Sequence, residues 1–140
     1  MDVERLADEI SRINIENAKA LSHFAGVFCQ NGEAGVLLWL GTRVSDTYAV
    51  DIIDHFGLTP GRVANIVKSL ERRALIERFQ DTKDQRKSRI FLTGKGKTLS
   101  GELYARLSES NTQLIKLLGE DDTLHLIRIL KRCACADEKE

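Results

Sequence analysis

The side chains that could do chemistry in this sequence are cations gathered in one stretch of the chain. Between Arg62 and Lys97 eleven residues are basic and four are acidic, which gives this segment a surplus of seven positive charges. The rest of the chain carries ten basic and seventeen acidic residues, so the 140-residue chain has a formal charge of zero. Because Lys and Arg bind phosphates by releasing counterions, a localised surplus favours a polyanionic partner.

Two side chains in this stretch also have the geometry to recognise bases. Arg62 can pair bidentately with guanine and Asn65 with adenine in a major groove. Lys68 and Ser69 follow at helical spacing and could reach phosphates or bases. Each of these residues could instead be a solvated surface side chain, so the elements that carry them have to be considered.

Two helices joined by a short turn would carry these side chains. The apolar pattern of Ala49, Ile52, Ile53 and Phe56 predicts a first helix that ends at Gly57. Thr59 is a suitable N-cap and Pro60 a suitable first residue for a second helix, 60–73. This second helix has one apolar face, formed by Val63, Ile66, Val67 and Leu70. Its other face holds Gly61, Asn65, Lys68, Ser69 and Arg72. The pattern is typical of a helix-turn-helix.

The segment that follows the second helix predicts a β-hairpin with a basic tip. Residues 76–80 and 88–92 are short and rich in β-forming side chains. Residues 81–87 between them are polar and favour a turn. Arg86 and Lys87 would lie at or near this tip.

Long amphipathic segments flank the central elements. Residues 3–28 predict one long helix, and residues 33–40 a short buried helix in which Trp39 belongs to the core. The stretch 42–47 is irregular or a single short strand. Thr93 caps a helix that continues to Gly119, after which a last helix, opened by Asp121 and Asp122, ends near Arg132. Such helices need a partner surface, which leaves either one compact domain or a domain with arms that are buried only when two copies pair.

Residues 48–99 resemble the MarR family of bacterial transcription regulators. The resemblance is carried in order by four motifs: His55-Phe56-Gly57-Leu58-Thr59-Pro60, Val63-Ala64-Asn65-Ile66-Val67-Lys68-Ser69-Leu70-Glu71, Asp84-Gln85-Arg86 and Leu92-Thr93-Gly94-Lys95-Gly96. It implies a mainly α fold with a small β-wing, a winged helix-turn-helix with N- and C-terminal dimerisation helices. The implied division is a dimerisation helix 1–30, a DNA-binding domain 31–98, dimerisation helices 99–136 and a tail 137–140.

The resemblance also implies which residues contact double-stranded DNA. In a homodimer, helix 60–73 would enter the major groove and wing 81–88 the minor groove. The implied contacts are Thr59, Pro60, Gly61, Arg62, Asn65, Lys68, Ser69, Arg86 and Lys87, and Asp84 would steady the wing. Arg72 and Arg73 could instead pair with Glu77 or Glu71. Ala74 departs from the family, which usually has Gly there, so the hinge at this position is expected either to be slightly strained or to close differently.

Members of that family often release DNA on binding a small-molecule effector, an oxidant or a metal, but candidate sensors are weak here. Cys29 could be a redox thiol, although a buried structural cysteine is the commoner case near the end of an apolar helix. His23, Cys29 and Glu33 could form part of a zinc site, but their spacing is loose. A pocket walled by Phe24, Phe28 and Trp39 is conceivable, yet these side chains serve equally as core.

Other classes of protein fit the sequence less well. There is no nucleophile beside a base, no phosphate-binding glycine loop and no suitable pair of acids, so we expect neither enzymatic activity nor a cofactor. Three cysteines without a CxxC pair argue against a disulfide framework. The N-terminus resembles no signal peptide and no apolar run could span a bilayer, so a cytoplasmic protein is expected. A repressor is what the resemblance to the MarR family implies. The alternative is a winged-helix protein-protein interaction or dimerisation module without DNA binding.

Overall fold

The structure is a computed structural model that describes residues 1–28 and 30–136, with the backbone alone for residues 25–28. Its helices and strands are α1 Val3–Glu16, α2 Ala18–Phe28, α3 Gly32–Thr42, α4 Ala49–Phe56, α5 Pro60–Arg72, β1 Ile76–Gln80, β2 Ser88–Leu92 and α6 Gly94–Ala136. The described residues therefore form a mainly helical chain with a two-stranded antiparallel sheet. This confirms the predicted fold class, a winged helix-turn-helix.

The chain divides by its contacts into two units. The central unit is Phe28–Arg106, and the terminal unit joins Met1–Val27 to the part of the chain from Leu107 onward. In the central unit α3, α4, α5 and the hairpin share one hydrophobic core. Its buried side chains are Val36, Leu37, Leu40, Ile52, Val63, Ile66, Val67, Leu70, Leu75, Ile76 and Ile90. The apolar face predicted for α5 is thus the face that packs into this core.

The turn between α4 and α5 forms as the sequence predicts. Gly57 ends α4 in the left-handed region, with φ 62°, and its N–H donates to the carbonyl of Ile53. The Thr59 hydroxyl accepts a hydrogen bond of 3.2 Å from the backbone N–H of Arg62, and Pro60 is the first residue of α5. Because both caps are local, the direction in which α5 leaves the turn is set by these few residues.

The junction between α5 and β1 is strained at Ala74. Its φ is 57°, the one positive φ among the described non-glycine residues. The junction is held closed because the carbonyl of Ala74 accepts a 2.6 Å hydrogen bond from the Thr93 hydroxyl, while Lys95 donates to the carbonyl of Arg73. Surrounding contacts therefore enforce a conformation that a residue with a Cβ disfavours.

We expect Ala74→Gly to stabilise the protein. A left-handed conformation costs a non-glycine residue about 1 kcal/mol, and the greater freedom of glycine in the unfolded chain returns part of this, so the net gain is about 0.5 kcal/mol. The matched control is Ala64→Gly on the exposed side of α5, which should lose about 1 kcal/mol because its conformation is helical. Urea denaturation measures both variants, and equal losses in the two would contradict strain at Ala74.

The prediction of one helix over residues 3–28 was wrong, since α1 and α2 are separated at Asn17. The backbone of Asn17 lies outside the helical region, and its side-chain amide donates to the carbonyl of Ile13 at 3.0 Å. Asn competes in this way for backbone acceptors, which is why it is a poor residue inside a helix. In the segment 42–47, Thr42 is the last residue of α3, and residues 43–47 take the irregular form of the two that were predicted. Gly119 interrupts α6 with φ 78°.

Apolar side chains of the terminal unit remain exposed. Helix α1 has no buried residue, and Leu6, Ile10 and Ile13 are 37%, 61% and 47% exposed. On α6, Leu117, Leu124 and Ile127 are exposed as well. None of the described helices combines the length and the apolar composition needed to cross a membrane.

Candidate nucleic-acid interface

The outward face of α5 carries the polar residues that the sequence singled out. Arg62, Asn65 and Lys68 are exposed, and Ser69 is half-buried. Thr59, Pro60 and Gly61 are also exposed, at the N-terminal end of the helix. Because the opposite face is locked into the core by Leu70 and its neighbours, these side chains project from a rigid support.

Folding divides the basic residues of the segment into paired and unpaired ones. Arg78 forms a bidentate pair with Glu71, at 2.8 and 2.9 Å, which lowers the pKa of Glu71 and raises that of Arg78. Arg73 pairs with Glu33 at 2.8 Å. The suggested pairing of Arg72 or Arg73 with Glu77 or Glu71 is therefore wrong, because Glu71 is taken by Arg78 and Arg73 reaches α3.

Three of the exposed cations without a partner lie on α5. Within the described part of the chain, the side chains of Arg62, Lys68 and Arg72 make neither an ion pair nor a hydrogen bond. All three are exposed. The outward side of α5, which also holds Asn65, therefore keeps three positive charges available to a polyanion, and Lys83 in the wing turn and Lys97 on α6 are exposed as well.

The tip of the hairpin is ordered by an aspartate. The Asp84 side chain accepts a 3.1 Å hydrogen bond from the backbone N–H of Arg86. The backbone carbonyl of Asp84 accepts a 3.0 Å hydrogen bond from the backbone N–H of Lys87. The Asp81 N–H donates to the carbonyl of Lys87 at 2.8 Å. The Arg86 guanidinium lies 3.6 Å from the Asp84 carboxylate, and its side chain is 95% exposed. The turn therefore presents Arg86 to solvent, while the Lys87 ammonium lies 5.8 Å from the ring of Tyr48.

Arg89 is a residue whose contacts the sequence did not reveal. It lies in β2, where it pairs with Phe79 of β1, and its guanidinium contacts Asp46 at 3.4 Å and Asp81 at 3.5 Å. The sequence showed it as one cation among eleven. Strand alternation places it on the sheet face opposite the buried Ile90, which was a signal that its partners lie outside the core.

A cavity of about 560 Å³ opens in the central unit beside β2. Leu38, Ile90 and Phe91 form part of its lining, together with Arg43 and Tyr104. Its size suits a small organic molecule. The sequence had suggested other walls for a pocket, namely Phe24, Phe28 and Trp39, and the Phe28 side chain lies outside the described residues. Trp39 packs against the core and stacks on His55, with ring centroids 4.3 Å apart.

The structure describes only some of the candidate sensor residues. Cys29 lies outside the described residues, and His23 is exposed. Among the residues that the structure describes, no three His, Cys, Asp or Glu side chains are placed to hold a metal ion. Cys133 and Cys135 are exposed free thiols on α6.

Comparison with known proteins agrees with this geometry. Residues 33–88 match the model of the MarR family. Over 83 residues the chain is 28% identical to the uncharacterized HTH-type transcriptional regulator YwaE of Bacillus subtilis, a match that covers 59% of this chain. The match covers 48% of YwaE, so the chain aligns with about half the length of this curated relative.

Solved structures share the fold over nearly the whole chain. The MepR–DNA complex of S. aureus aligns with a TM-score of 0.68 and 23% identity, covering 97% of this chain and 98% of MepR. The PcaV transcriptional regulator of Streptomyces coelicolor aligns with a TM-score of 0.66 and 19% identity, covering 100% of both chains. At these identities the likeness establishes the fold.

Proposed function

Because the chain carries a MarR-family domain in residues 33–88, we propose that it is a sequence-specific regulator of transcription that binds double-stranded DNA as a homodimer. The observation that carries the proposal is the row of unpaired, exposed cations on α5, beside a hairpin whose tip presents Arg86. Repression is the mode we propose, since a protein seated on a promoter blocks other proteins by occupying the duplex. The site of action would be the cytoplasm, and the role requires no catalysis.

The dimensions and side chains of α5 suit a major groove. A helix with its side chains is about 10–12 Å wide, and the groove of B-DNA is about 12 Å wide. In that position Arg62 and Asn65 would contact base edges, and Lys68 and Ser69 the backbone. The N-terminus of α5, from Thr59 to Gly61, would lie against a phosphate, where the free N–H groups and the helix dipole favour negative charge.

The wing would supply a separate contact. Arg86 is held at the hairpin tip by the Asp84 turn, and a narrow minor groove attracts an inserted guanidinium. Lys87, next to it, would add charge near the same phosphates. The proposed site thus consists of α5 for base recognition and of the wing for affinity, both in the central unit.

The homodimer is proposed from the terminal unit. Leu6, Ile10 and Ile13 on α1 and Leu124 and Ile127 on α6 leave apolar surface in water, which is costly unless a partner covers it. A second copy supplies a matching apolar surface by symmetry. We therefore propose residues 1–30 and 99–136 as the dimerisation segments and residues 31–98 as the DNA-binding domain, with the end of the chain, 137–140, as a tail.

A gel shift at two salt concentrations tests DNA binding. With a mixed-sequence duplex we expect binding at about 50 mM salt that weakens by roughly three orders of magnitude at about 200 mM, as for some six neutralised phosphates. Replacing both Lys68 and Arg72 with Gln should weaken binding and flatten the salt dependence, whereas Arg106→Gln with Lys116→Gln should leave both unchanged. The alternative, a protein-protein interaction module, predicts no shift at either salt concentration.

The same assay can test a small-molecule effector. PcaV has also been solved in complex with its natural ligand, and we propose the cavity beside Arg43 and Tyr104 as the place for an effector here. A compound that binds there should release the duplex from the wild type. Tyr104→Trp, which fills part of the cavity, should bind DNA but resist that release.

A further inference from the structure

We propose that Arg89 is a positioning residue for DNA binding, which fixes the wing beside α5 by holding Asp46 and Asp81 together. The inference rests on the DNA-binding function proposed above. Asp46 lies in the segment before α4, and Asp81 lies where the chain enters the wing turn. Arg89 therefore connects the segment that leads into the helix-turn-helix with the hairpin.

The contacts of Arg89 commit its charge to these two carboxylates. One terminal nitrogen lies 3.4 Å from Asp46 and the other 3.5 Å from Asp81. The Arg89 side chain is 31% exposed, against 95% for Arg86 at the tip. Asp46, with the larger effect, and Asp81 both raise the pKa of Arg89. A guanidinium held in this way is poorly placed to bind a phosphate as well.

Neighbouring contacts join the same two segments. The backbone N–H of Ile90 donates to the carbonyl of Thr47 at 2.8 Å, and Thr47 is buried. The Lys87 ammonium lies over the ring of Tyr48. The hydrogen bond from Ile90 to Thr47 attaches the hairpin at one point, and a hairpin could still rotate about a single point. The Arg89–Asp46 pair next to it is a second point of attachment, which resists this rotation.

The hairpin needs such an attachment because two strands alone are marginally stable in water. The described sheet contains β1 and β2 only. Its inner face is anchored by Ile76 and Ile90 in the core, but the tip that carries Arg86 lies several residues beyond them. A small change in angle at the Arg89 junction would therefore be magnified at Arg86.

The direction in which one substitution changes DNA affinity distinguishes a positioning role from an effect of charge alone. Asp46→Asn removes a negative charge beside the proposed interface, so an effect of charge alone would strengthen DNA binding or leave it unchanged. Positioning predicts the opposite, because the amide no longer holds Arg89, and we expect affinity to fall about fivefold to tenfold. The matched control is Asp54→Asn, at an exposed carboxylate on α4, which should bind the duplex at least as tightly as the wild type.

The experiment compares full-length variants on one duplex that the wild type has selected from a random-sequence library. Arg89→Gln should lose about as much affinity as Asp46→Asn. The double variant that carries both substitutions should lose no more than about the larger of the two single losses. Arg89→Lys should lose less affinity than Arg89→Gln. The dependence of affinity on salt should keep the wild-type slope. Thermal melting followed by circular dichroism checks that each variant is folded.

A second measurement needs no DNA. Hydrogen exchange at the Ile90 amide should be faster in Asp46→Asn and Arg89→Gln than in the wild type, because the junction opens more often. Unchanged exchange, or Asp46→Asn binding as tightly as the wild type, would overturn the proposal. So would a salt slope lowered by about one unit per lost contact in Arg89→Gln, which would make Arg89 a phosphate ligand. A wild type that selects no duplex would instead overturn the proposed function, on which this proposal depends.

Discussion

Arg62→Ala is expected to remove much of the protein's discrimination among operator bases, and Arg86→Ala to weaken binding to all sequences alike. Arg62 is exposed near the N-terminus of α5 and has no side-chain partner in the described part of the chain, so its guanidinium is free to pair with a guanine edge. A bidentate pair contributes about 1–3 kcal/mol of discrimination, or roughly fivefold to 150-fold per half-site. Arg86 on the wing would contact the backbone and the minor groove, which carry less sequence information.

Affinities for a panel of duplexes, each with one base pair changed in the operator, measure this difference. For Arg62→Ala the preference at one or two positions of each half-site should disappear, while other positions still discriminate. For Arg86→Ala all affinities should fall by a similar factor. Arg106→Ala, an exposed arginine outside the segment 62–97, is the control and should match the wild type. A uniform loss from Arg62→Ala would remove its role in base recognition.

Ile10→Asp is expected to convert the dimer into monomers and to lower DNA affinity by about a hundredfold or more. Ile10 is 61% exposed on α1, between Leu6 and Ile13, so in the single chain its substitution costs little. In a two-fold interface the new carboxylate is buried twice, and even about 1.4 kcal/mol for each copy gives a hundredfold change. Each monomer would then bind only one of the two half-sites of the operator, so the contacts of the second subunit would be lost.

Sedimentation velocity and the gel shift measure the two consequences. Ser11→Asp is the matched control, because it adds the same charge to the adjacent, more polar position of α1. It should remain dimeric and bind DNA as the wild type does. An Ile10→Asp protein that still sediments as a dimer would show that the apolar face of α1 is not the interface, and the proposed dimerisation segments would then have to be assigned elsewhere.

Local rules were enough to predict most of the secondary structure. Thr59 and Pro60 predicted the start of α5, and Gly57 the end of α4, because capping depends on residues within one turn. Alternation and turn residues predicted both strands of the hairpin with the bounds that the structure shows. The break at Asn17 was missed, because the apolar spacing resumes at Leu21 and a single polar residue on that face does not by itself show that its side chain competes for a backbone carbonyl.

The unusual backbone conformation at Ala74 was anticipated from the resemblance to a family, and local rules alone did not predict it. Because the family usually has Gly there, position 74 was expected either to be strained or to close differently, and its φ of 57° corresponds to the first alternative. Nothing in the residues next to it would have required a left-handed conformation. The hydrogen bond between the Thr93 hydroxyl and its carbonyl, which closes the junction, joins positions 19 apart in the sequence.

By itself, the sequence determined the order and type of the elements, the apolar face of α5, and the concentration of positive charge between Arg62 and Lys97. These depend on periodicity, capping and composition, which act over a few residues. Only the tertiary structure decided which of those charges remain free. Arg73 pairs with Glu33, 40 positions away, and Arg89 bridges Asp46 and Asp81, while Arg62 and Lys68 face solvent. Ion pairs form between side chains that the fold brings within a few ångströms, and that proximity depends on how the elements pack rather than on their spacing along the chain.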